Sequence, residues 1–471
     1  KPRTPSRAMI RGKALNASGS LMVMNHEYDM APRRLHESLA LFKELGSTGK
    51  QGMAYALLRL AVSLPAGDTQ ARDMLEESLA LFRDLRDKFG IAECLMLLAG
   101  QVASFTKGDD NYSRAIVLSE EQLALRREIG DQDGAAVALT ILGDLLLSQD
   151  DHEKAIRLYE EALTGFRAVK NTGALSLALT GLGDIFFWRG DYERAGEIFE
   201  ESLALARDLG YTFIIALNVY SLGIIAWFHG EYARAAQLLG ESQSMFQVIN
   251  HHWLSASSLH ALGDIALAQG DAERAARWYG DELTFGQQEQ LEIAGIYALI
   301  GIGRAAWAQG DYTLATQQFE EALRISREND IQPAMFNALY HLGQTEHAQG
   351  HLAAAQSAHM EALGLQSRRI RFLLRWVWLK TYQSVIAYPL AGLATLAAEQ
   401  NNMTQAASLF GAAESLYMPL RFQMSARERA VYDQAAAAAR TALGDNAFTV
   451  AYAEGSSMSL DEAIAYSLQT E

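Results

Sequence analysis

Residues 181–210 read GLGDIFFWRGDYERAGEIFEESLALARDLG, and they contain the pattern that decides the fold. An apolar segment ends at the polar turn Gly190-Asp191-Tyr192, after which Ala195, Phe199 and Leu203 recur at intervals of four residues. Apolar residues at this spacing lie on one face of an α-helix and pack together. The stretch therefore predicts the end of one helix, a turn and a second, antiparallel helix.

The pattern recurs along most of the chain with a period of 40 residues. One interval, between Glu77 and Glu121, is 44 residues because the turn there is longer. A divergent tenth copy runs through Leu393-Ala394, Ala406 and Phe410. The other nine copies share a short motif of acidic and apolar residues in the second helix, which we call the acidic motif. It is anchored at Glu37, Glu77, Glu121, Glu161, Glu201, Glu241, Asp281, Glu321 and Glu361.

Glycines are expected to act at two places in the repeat. Gly46, Gly130 and Gly210 follow the second helix, where a left-handed residue satisfies the last carbonyl groups. A glycine inside the first helix lets the second helix approach closely, because it has no side chain to hold the backbones apart. These inner glycines belong to the pairs Leu142-Gly143, Leu182-Gly183, Leu222-Gly223, Leu262-Gly263, Ile302-Gly303 and Leu342-Gly343.

Stacking is expected to join the helix pairs into one core, since a single pair cannot bury both of its apolar faces. The sequence therefore predicts an all-α fold, a right-handed α-solenoid of ten helix pairs over residues 1–420 with a concave inner wall. Capping helices are predicted in residues 421–471, over Ala426 to Ala442, over Asn446 to Glu454 and from Ser459. Ser459 and Glu462 have the spacing of a capping box.

The composition restricts the partners of the chain. With 40 basic and 56 acidic residues, its net charge is −16, which argues against direct binding to nucleic acid. Its single cysteine, Cys94, excludes an internal disulfide and suits a reducing compartment, so a cytoplasmic location is expected. Separately, no membrane association is expected. The first residues, Lys1-Pro2-Arg3, contain neither an initiator Met nor a signal-peptide core, so we expect a piece of a longer protein.

No catalytic motif is apparent in the sequence. It contains no phosphate loop and no zinc-protease motif, because His26-Glu27 and His36-Glu37 are not followed by a second histidine at the required spacing. The histidines of one repeat differ in helical face or lie in a turn, which argues against a metal site. We therefore expect no enzyme activity, no cofactor and no metal; the histidines concerned are His341, His347, His351 and His359.

Leu182-Gly183, Tyr192, Ala195 and Phe199 have the spacing of the tetratricopeptide repeat, and the chain resembles that family over most of its length. The usual unit of the family has 34 residues, whereas the 40-residue unit of this chain resembles a longer variant of the repeat. The resemblance implies that first-helix residues next to the Leu-Gly pair line a concave binding groove. The residues so placed are Asp144, Asp184, Phe187, Trp188, Tyr220, Trp227, Phe228, His260, Asp264, Arg304, Trp307 and Tyr340.

Two alternatives stay open for these residues. Their aromatic side chains either anchor a ligand, as aromatic residues do in binding hot spots, or pack between neighbouring helices. Asp144, Asp184 and Asp264 either form an acidic ladder for a basic ligand or are solvated and bonded to neighbouring backbone.

A basic, aromatic run spans residues 368–380, where the period is interrupted. It either forms a docking surface for an acidic partner or another domain, or it is a long helix with a solvated basic face. The basic residues of this candidate surface are Arg368, Arg369, Arg371, Arg375 and Lys380.

The end of the chain resembles a narrower group. Residues 390–394, 406–416, 452–455 and 460–464 are similar to the closing segment of bacterial signal-transduction ATPases of the STAND class. Those proteins resemble the maltose-regulon activator in plan, with a nucleotide switch, a tetratricopeptide sensor and often the helix-turn-helix effector of LuxR-type transcriptional regulators. Neither the ATPase nor the effector is present in this sequence, so the resemblance assigns those activities to a parent protein only.

The leading hypothesis is a sensor domain. Its groove would bind a protein, a peptide or a small-molecule inducer, and the domain would control autoinhibition of a parent ATPase through contacts with the other domains. The alternative is a free-standing tetratricopeptide scaffold that joins proteins without a switch.

Overall fold

The computed structural model describes residues 4–24, 30–65, 68–104, 110–147, 149, 151–365, 387–416 and 426–467. Contacts divide the chain into two compact units, Lys1–Ile185 and Phe186–Glu471. The residues within those ranges form α-helices, turns and one 3₁₀ turn, Gly46–Gly49, and they contain no β-strand. The predicted all-α class is therefore confirmed.

The described part of the chain contains 23 α-helices, numbered here in chain order. They are α1 (Pro5–Met24), α2 (Ala31–Glu44), α3 (Lys50–Val62), α4 (Thr69–Leu85), α5 (Lys88–Ser104), α6 (Asp110–Glu128), α7 (Gln132–Leu147), α8 (His152–Val169), α9 (Thr172–Trp188), α10 (Tyr192–Leu209), α11 (Thr212–Phe228), α12 (Tyr232–Val248), α13 (His252–Ala268), α14 (Ala272–Gln288), α15 (Glu292–Gln309), α16 (Tyr312–Glu328), α17 (Gln332–Ala348), α18 (Leu352–Gly364), α19 (Ala387–Glu399), α20 (Met403–Leu416), α21 (Ala426–Leu443), α22 (Asp445–Ser456) and α23 (Leu460–Ser467).

The helices α1 to α20 form ten consecutive pairs, each with a first helix of odd number and a second helix of even number. From α8 to α18 the second helices begin 40 residues apart, at positions 152, 192, 232, 272, 312 and 352. The first helices α7 and α9 begin at positions 132 and 172, which is the same interval. The predicted succession of helix pairs and its period are therefore confirmed within the described residues.

The helix ends also repeat. Asp151, Asp191, Asp271 and Asp311 each precede a second helix and accept a hydrogen bond from the backbone N–H three residues later. Gly46, Gly130 and Gly210 have positive φ after the second helix, as predicted. The sequence did not reveal that other residue types adopt positive φ at the same repeat position, namely Arg86, Lys170, Asn250, Gln290 and Asp330.

Glycines bring the helices together within and between pairs. The Tyr279 ring of α14 lies against Gly263 in its own pair and against Gly301 in the next. A methyl group on these glycines would lie 2.5 Å and 2.4 Å from the ring. Contacts this short are not tolerated in a packed interior, so only glycine fits at either position. The predicted close approach at glycine is thus present in this repeat.

The acidic motif of the repeat forms ion pairs with neighbouring second helices. Arg127 pairs with Glu161 and Arg327 pairs with Glu361, both 34 residues apart, and all four side chains are about half exposed. Exposed pairs of this kind stabilise weakly. These ion pairs explain why the acidic motif recurs on the outer side of the second helices. Burial of the apolar side of each helix supplies the larger stabilisation.

Three helices follow the ten pairs, as predicted. Ser459 and Glu462 form the expected capping box: the Glu462 carboxylate accepts from the Ser459 backbone N–H, and the Ser459 hydroxyl accepts from the Glu462 N–H. The predicted domain boundary between residues 420 and 421 lies outside the described residues and stays a prediction. No helix in the described ranges is both long and apolar enough to cross a membrane.

Candidate functional site

Two first helices of the second unit, α11 and α13, are buried on nearly all sides. In α11 every residue from 216 to 228 is buried, and in α13 every residue from 254 to 267. The second helices differ, since α14 buries only Ala275, Tyr279, Glu282 and Gly286. Polar side chains on these first helices have therefore lost most of their contact with water, and each needs partners inside the protein.

One group of five polar side chains, which we call the polar cluster, comes from the first helices α13 and α15 and the second helix α14: His260, Asp264, Tyr279, Glu282 and Arg304. It consists of two hydrogen-bonded sets, which a contact of 3.8 Å between His260 Nε2 and Asp264 Oδ2 links. His260 Nδ1 lies 2.8 Å from Glu282 Oε2, and the Tyr279 hydroxyl donates to Asp264 at 2.7 Å. Arg304 donates to the same Asp264 oxygen at 2.5 Å. Arg304 and Asp264 are 40 residues apart, so this ion pair joins the first helices of two successive repeats.

The electrostatics of the polar cluster favour a protonated histidine. Complete burial acts to lower the pKa of His260, but the carboxylates of Glu282 and Asp264 outweigh that effect and the pKa is raised. His260 is fully buried, and Glu282 and Asp264 are 2% and 4% exposed. Burial also raises the pKa of Glu282, although His260 acts to lower it. The polar cluster thus places two basic and two acidic side chains in a nearly water-free part of the fold.

A small cavity adjoins the polar cluster. Its volume is about 10 Å³, which is room for one water molecule at most. Three successive first helices and the capping helix α21 contribute to its walls. The lining residues are Leu267, Arg304, Trp307, His341, Gln344 and Glu428. We call the surface around this cavity, on α13, α15 and α17, the first-helix face.

The predicted groove aromatics of α9 and α11 contact each other. Phe228 stacks on Trp227 at 5.4 Å and on Tyr192 at 4.9 Å between ring centroids, and Phe187 lies 5.6 Å away. Phe187, Trp227 and Phe228 are buried, whereas Trp188 is half-buried. Trp188 is therefore the member of this aromatic group that a ligand can reach without rearrangement.

Three further predicted residues lie deeper. Tyr220 is fully buried on α11, and the charges of Asp264 and Glu282 act on its hydroxyl. Tyr340 is 1% exposed, stacks on Tyr388 with 4.9 Å between ring centroids and accepts a hydrogen bond from Gln344. Trp307 is 6% exposed and lines the cavity. These three predicted residues are thus buried, and the role of the predicted residues in binding stays a prediction.

Asp144 and Asp184 lie in the first unit, apart from the polar cluster in sequence. Asp144 accepts a hydrogen bond from the Tyr159 hydroxyl, the same arrangement that joins Asp264 and Tyr279. Burial raises the pKa of Asp144 to about 6, although the Tyr159 hydrogen bond acts to lower it and the charge of Asp184 raises it further. The bonding partner of Asp144 is therefore a tyrosine side chain of the following helix.

Other candidate residues fall outside these groups. The basic residues proposed for docking, Arg368, Arg369, Arg371, Arg375 and Lys380, lie outside the described residues. The described ranges contain no group of three or more His, Cys, Asp or Glu side chains that could hold a metal ion. His347 Nε2 instead lies 2.8 Å from Glu399, and His359 is buried between Gly343 and Gly392.

Sequence reasoning missed Tyr279, Glu282 and Glu428. Glu282 had a usable signal, because it occupies a repeat position that holds serine or alanine at Ser202, Ser242 and Ala322. A carboxylate at a position that is otherwise small and buried predicts a cationic partner. Glu428 had no such signal, since it lies outside the repeats.

We expect Arg304→Met to lower the free energy of unfolding by about 3–5 kcal/mol, because it leaves Asp264 buried without its strongest cationic partner. The matched control is Arg324→Met, which removes an exposed arginine paired with Glu321 and Glu328 and should leave stability nearly unchanged. Urea unfolding of both variants measures the difference. Equal losses in the two variants would show that the buried pair has no special role.

We expect the stability difference between the protein and Asp144→Asn to depend on pH. Because the folded-state pKa of Asp144 lies above its ordinary value of 3.8, this group contributes most below about pH 4 and its contribution is lost as the pH rises through about 6. The protein should therefore lose stability relative to Asp144→Asn between pH 4 and pH 7 in urea titrations. Asp73→Asn, at an exposed position of α4, is the control. A pH-independent difference, or one of opposite sign, contradicts the prediction.

The comparisons with known proteins agree with the fold. One tetratricopeptide-repeat family model matches residues 94–168 and 174–247, and a second matches residues 300–364. No curated protein sequence matches the chain.

Several solved structures resemble the chain. The apo form of the quorum sensor NprR from B. thuringiensis has a TM-score of 0.55 at 14% identity, and the match covers 75% of this chain and 98% of that one. A Rap protein complexed with competence and sporulation factor has a TM-score of 0.52 at 12% identity, with 77% and 99% covered. A STAND protein with a tetratricopeptide repeat sensor from Pyrococcus horikoshii has a TM-score of 0.47 at 15% identity, with 65% and 52% covered.

At these identities the structural likeness concerns the fold alone. The family models and the helix pairs together confirm the resemblance that the Leu-Gly, Tyr, Ala and Phe spacing indicated. The chain therefore contains tetratricopeptide repeats, at residues 94–168, 174–247 and 300–364, within a longer series of helix pairs.

Proposed function

We propose that the chain is a protein- or peptide-binding repeat scaffold and that the first-helix face of the second unit receives the ligand. We further propose that it is the cytoplasmic sensor domain of a signal-transduction ATPase. The observation that carries the proposal is the polar cluster, in which the basic side chains of His260 and Arg304 lie against the carboxyl groups of Glu282 and Asp264 in the interior of a helical repeat.

Stability alone does not account for this cluster. Buried ion pairs are often no more stabilising than apolar side chains of the same size, because removing the charges from water costs several kcal/mol per ion, on the order of what their attraction returns. Neighbouring repeats pack well with serine or alanine where Glu282 lies. Asp264 and Arg304 occupy the same position on successive first helices, and Glu282 lies on the second helix between them. This set of acidic and basic side chains is better explained by recognition of a ligand that has polar groups.

The nature of the structural relatives supports a peptide or protein ligand. NprR is described as a quorum sensor, and the Rap protein was solved in complex with competence and sporulation factor. Both share the fold of this chain over three quarters of its length. Trp307, beside the cavity, is one of the residue types that dominate binding energy.

A displayed library of random 12-residue peptides, selected on the immobilised full chain, tests the binding function. We expect enriched peptides to bind Gln344→Ala about tenfold more weakly, because this variant removes a contact at the first-helix face. Ser244→Ala, at an exposed position on the second helix α12, should bind them as the unmodified chain does. Failure to enrich any peptide, or equal binding by all variants, contradicts the proposal.

The coding sequence upstream of Lys1 tests the sensor role separately. A phosphate loop of the form Gly-x-x-x-x-Gly-Lys-Ser/Thr there supports the ATPase parent. A start codon directly before Lys1 favours the free-standing scaffold.

A further inference from the structure

The capping helix α21 reaches the first-helix face. Glu428, in the first turn of α21, lines the cavity together with Arg304 and Gln344. Its side chain is only 10% exposed, and its Oε1 lies 3.9 Å from His341 Nδ1. A carboxylate from the C-terminal helices therefore fills space on the surface where we propose that the ligand binds.

The charges around Glu428 are suited to hold it there. Among the described residues that line the cavity, Arg304 carries a positive charge, and Glu428 is the only one with a carboxylate. Burial holds the pKa of His341 well below its usual range, with a further contribution from Arg304, so the His341 ring is neutral near pH 7. Arg304, rather than an imidazolium, is thus the cation that the described lining of the cavity offers to this carboxylate.

The helix α21 packs on the second unit through one apolar side. Tyr432, Ala435 and Ala439 form one buried stripe that packs against α19 and α20. The Tyr432 hydroxyl donates to Glu414 Oε1 at 2.9 Å. The opposite side of α21, at Asp433, Ala437 and Arg440, is exposed.

We propose that the first turn of α21 is a resident occupant of the first-helix face, and that it excludes other molecules until a ligand displaces it. The inference rests on the proposed function for the identity of that ligand. It adds that binding and undocking of the cap are coupled, because the two cannot occupy the face together. The position of the capping helices then depends on whether a ligand occupies the first-helix face, and a molecule that contacts these helices can detect the change.

A thiol introduced by Gln344→Cys measures access to the face in the full chain. The probe is N-ethylmaleimide, and the readout is the rate of modification by mass spectrometry. The native Cys94 is fully buried, and burial raises its pKa to about 11, so it stays unmodified in the folded protein and reports unfolding. Ser244→Cys supplies an exposed reference thiol.

We expect Glu428→Lys to speed modification at position 344 by about tenfold or more, because it replaces attraction to Arg304 by repulsion. Modification at position 244 should not change. Glu454→Lys makes the same charge change at an exposed position of α22 and should have no effect on either thiol. Should Glu428→Lys unfold the protein, Cys94 becomes reactive, and Glu428→Gln then provides the test, with a smaller increase expected.

An unchanged rate at position 344 in a folded Glu428 variant overturns the inference. If library peptides nevertheless bind the face, the proposed function stands and only the role of α21 is wrong. If access increases but no peptide binds, the cap occupies the face as inferred and the proposed function is wrong. A bound peptide that does not increase hydrogen exchange in the α21 backbone also contradicts the coupling.

Discussion

The contact between a large second-helix side chain and the glycines of two first helices is the constraint on which the repeat depends. Tyr159 lies between Gly143 and Gly181, and Tyr279 between Gly263 and Gly301. In both cases one glycine belongs to the same pair and the other to the next pair along the chain. A single ring therefore sets its distance to two first helices at once. The spacing between successive first helices is the same in both cases because the interior tolerates neither a gap nor an added methyl group.

The candidate site follows from this packing. A tyrosine held between glycines places its hydroxyl beside the residue after the first glycine, which is Asp144 in one repeat and Asp264 in another. In the second unit, Arg304 of the next first helix completes the ion pair with Asp264. The chemistry of the polar cluster thus depends on the distance between successive first helices, which the ring and its two glycines fix.

The sequence predicted the fold more completely than the site. Helical spacing, turn residues and the 40-residue period depend on local chemistry, so the helix pairs, the glycine ends and the Ser459 capping box could all be read from the chain. Burial of Tyr220, Trp227 and Tyr340 could not, because it depends on how closely first helices of different repeats approach. The contact between Glu428 and His341 could not be predicted either, because Glu428 lies outside the repeats and no sequence period relates the two residues. The identity of a ligand depends on such contacts, and it stays a proposal.

A double-mutant cycle between Gly301 and Tyr279 measures the central contact most directly. Gly301→Ala places a methyl group 2.4 Å from the Tyr279 ring and should lower the free energy of unfolding by about 1–3 kcal/mol. In a Tyr279→Ala background the same methyl group meets no ring, so its cost should disappear and the coupling energy should be about 1 kcal/mol or more. Additive losses, within about 0.5 kcal/mol, would contradict the claim that this contact sets the spacing of the repeats.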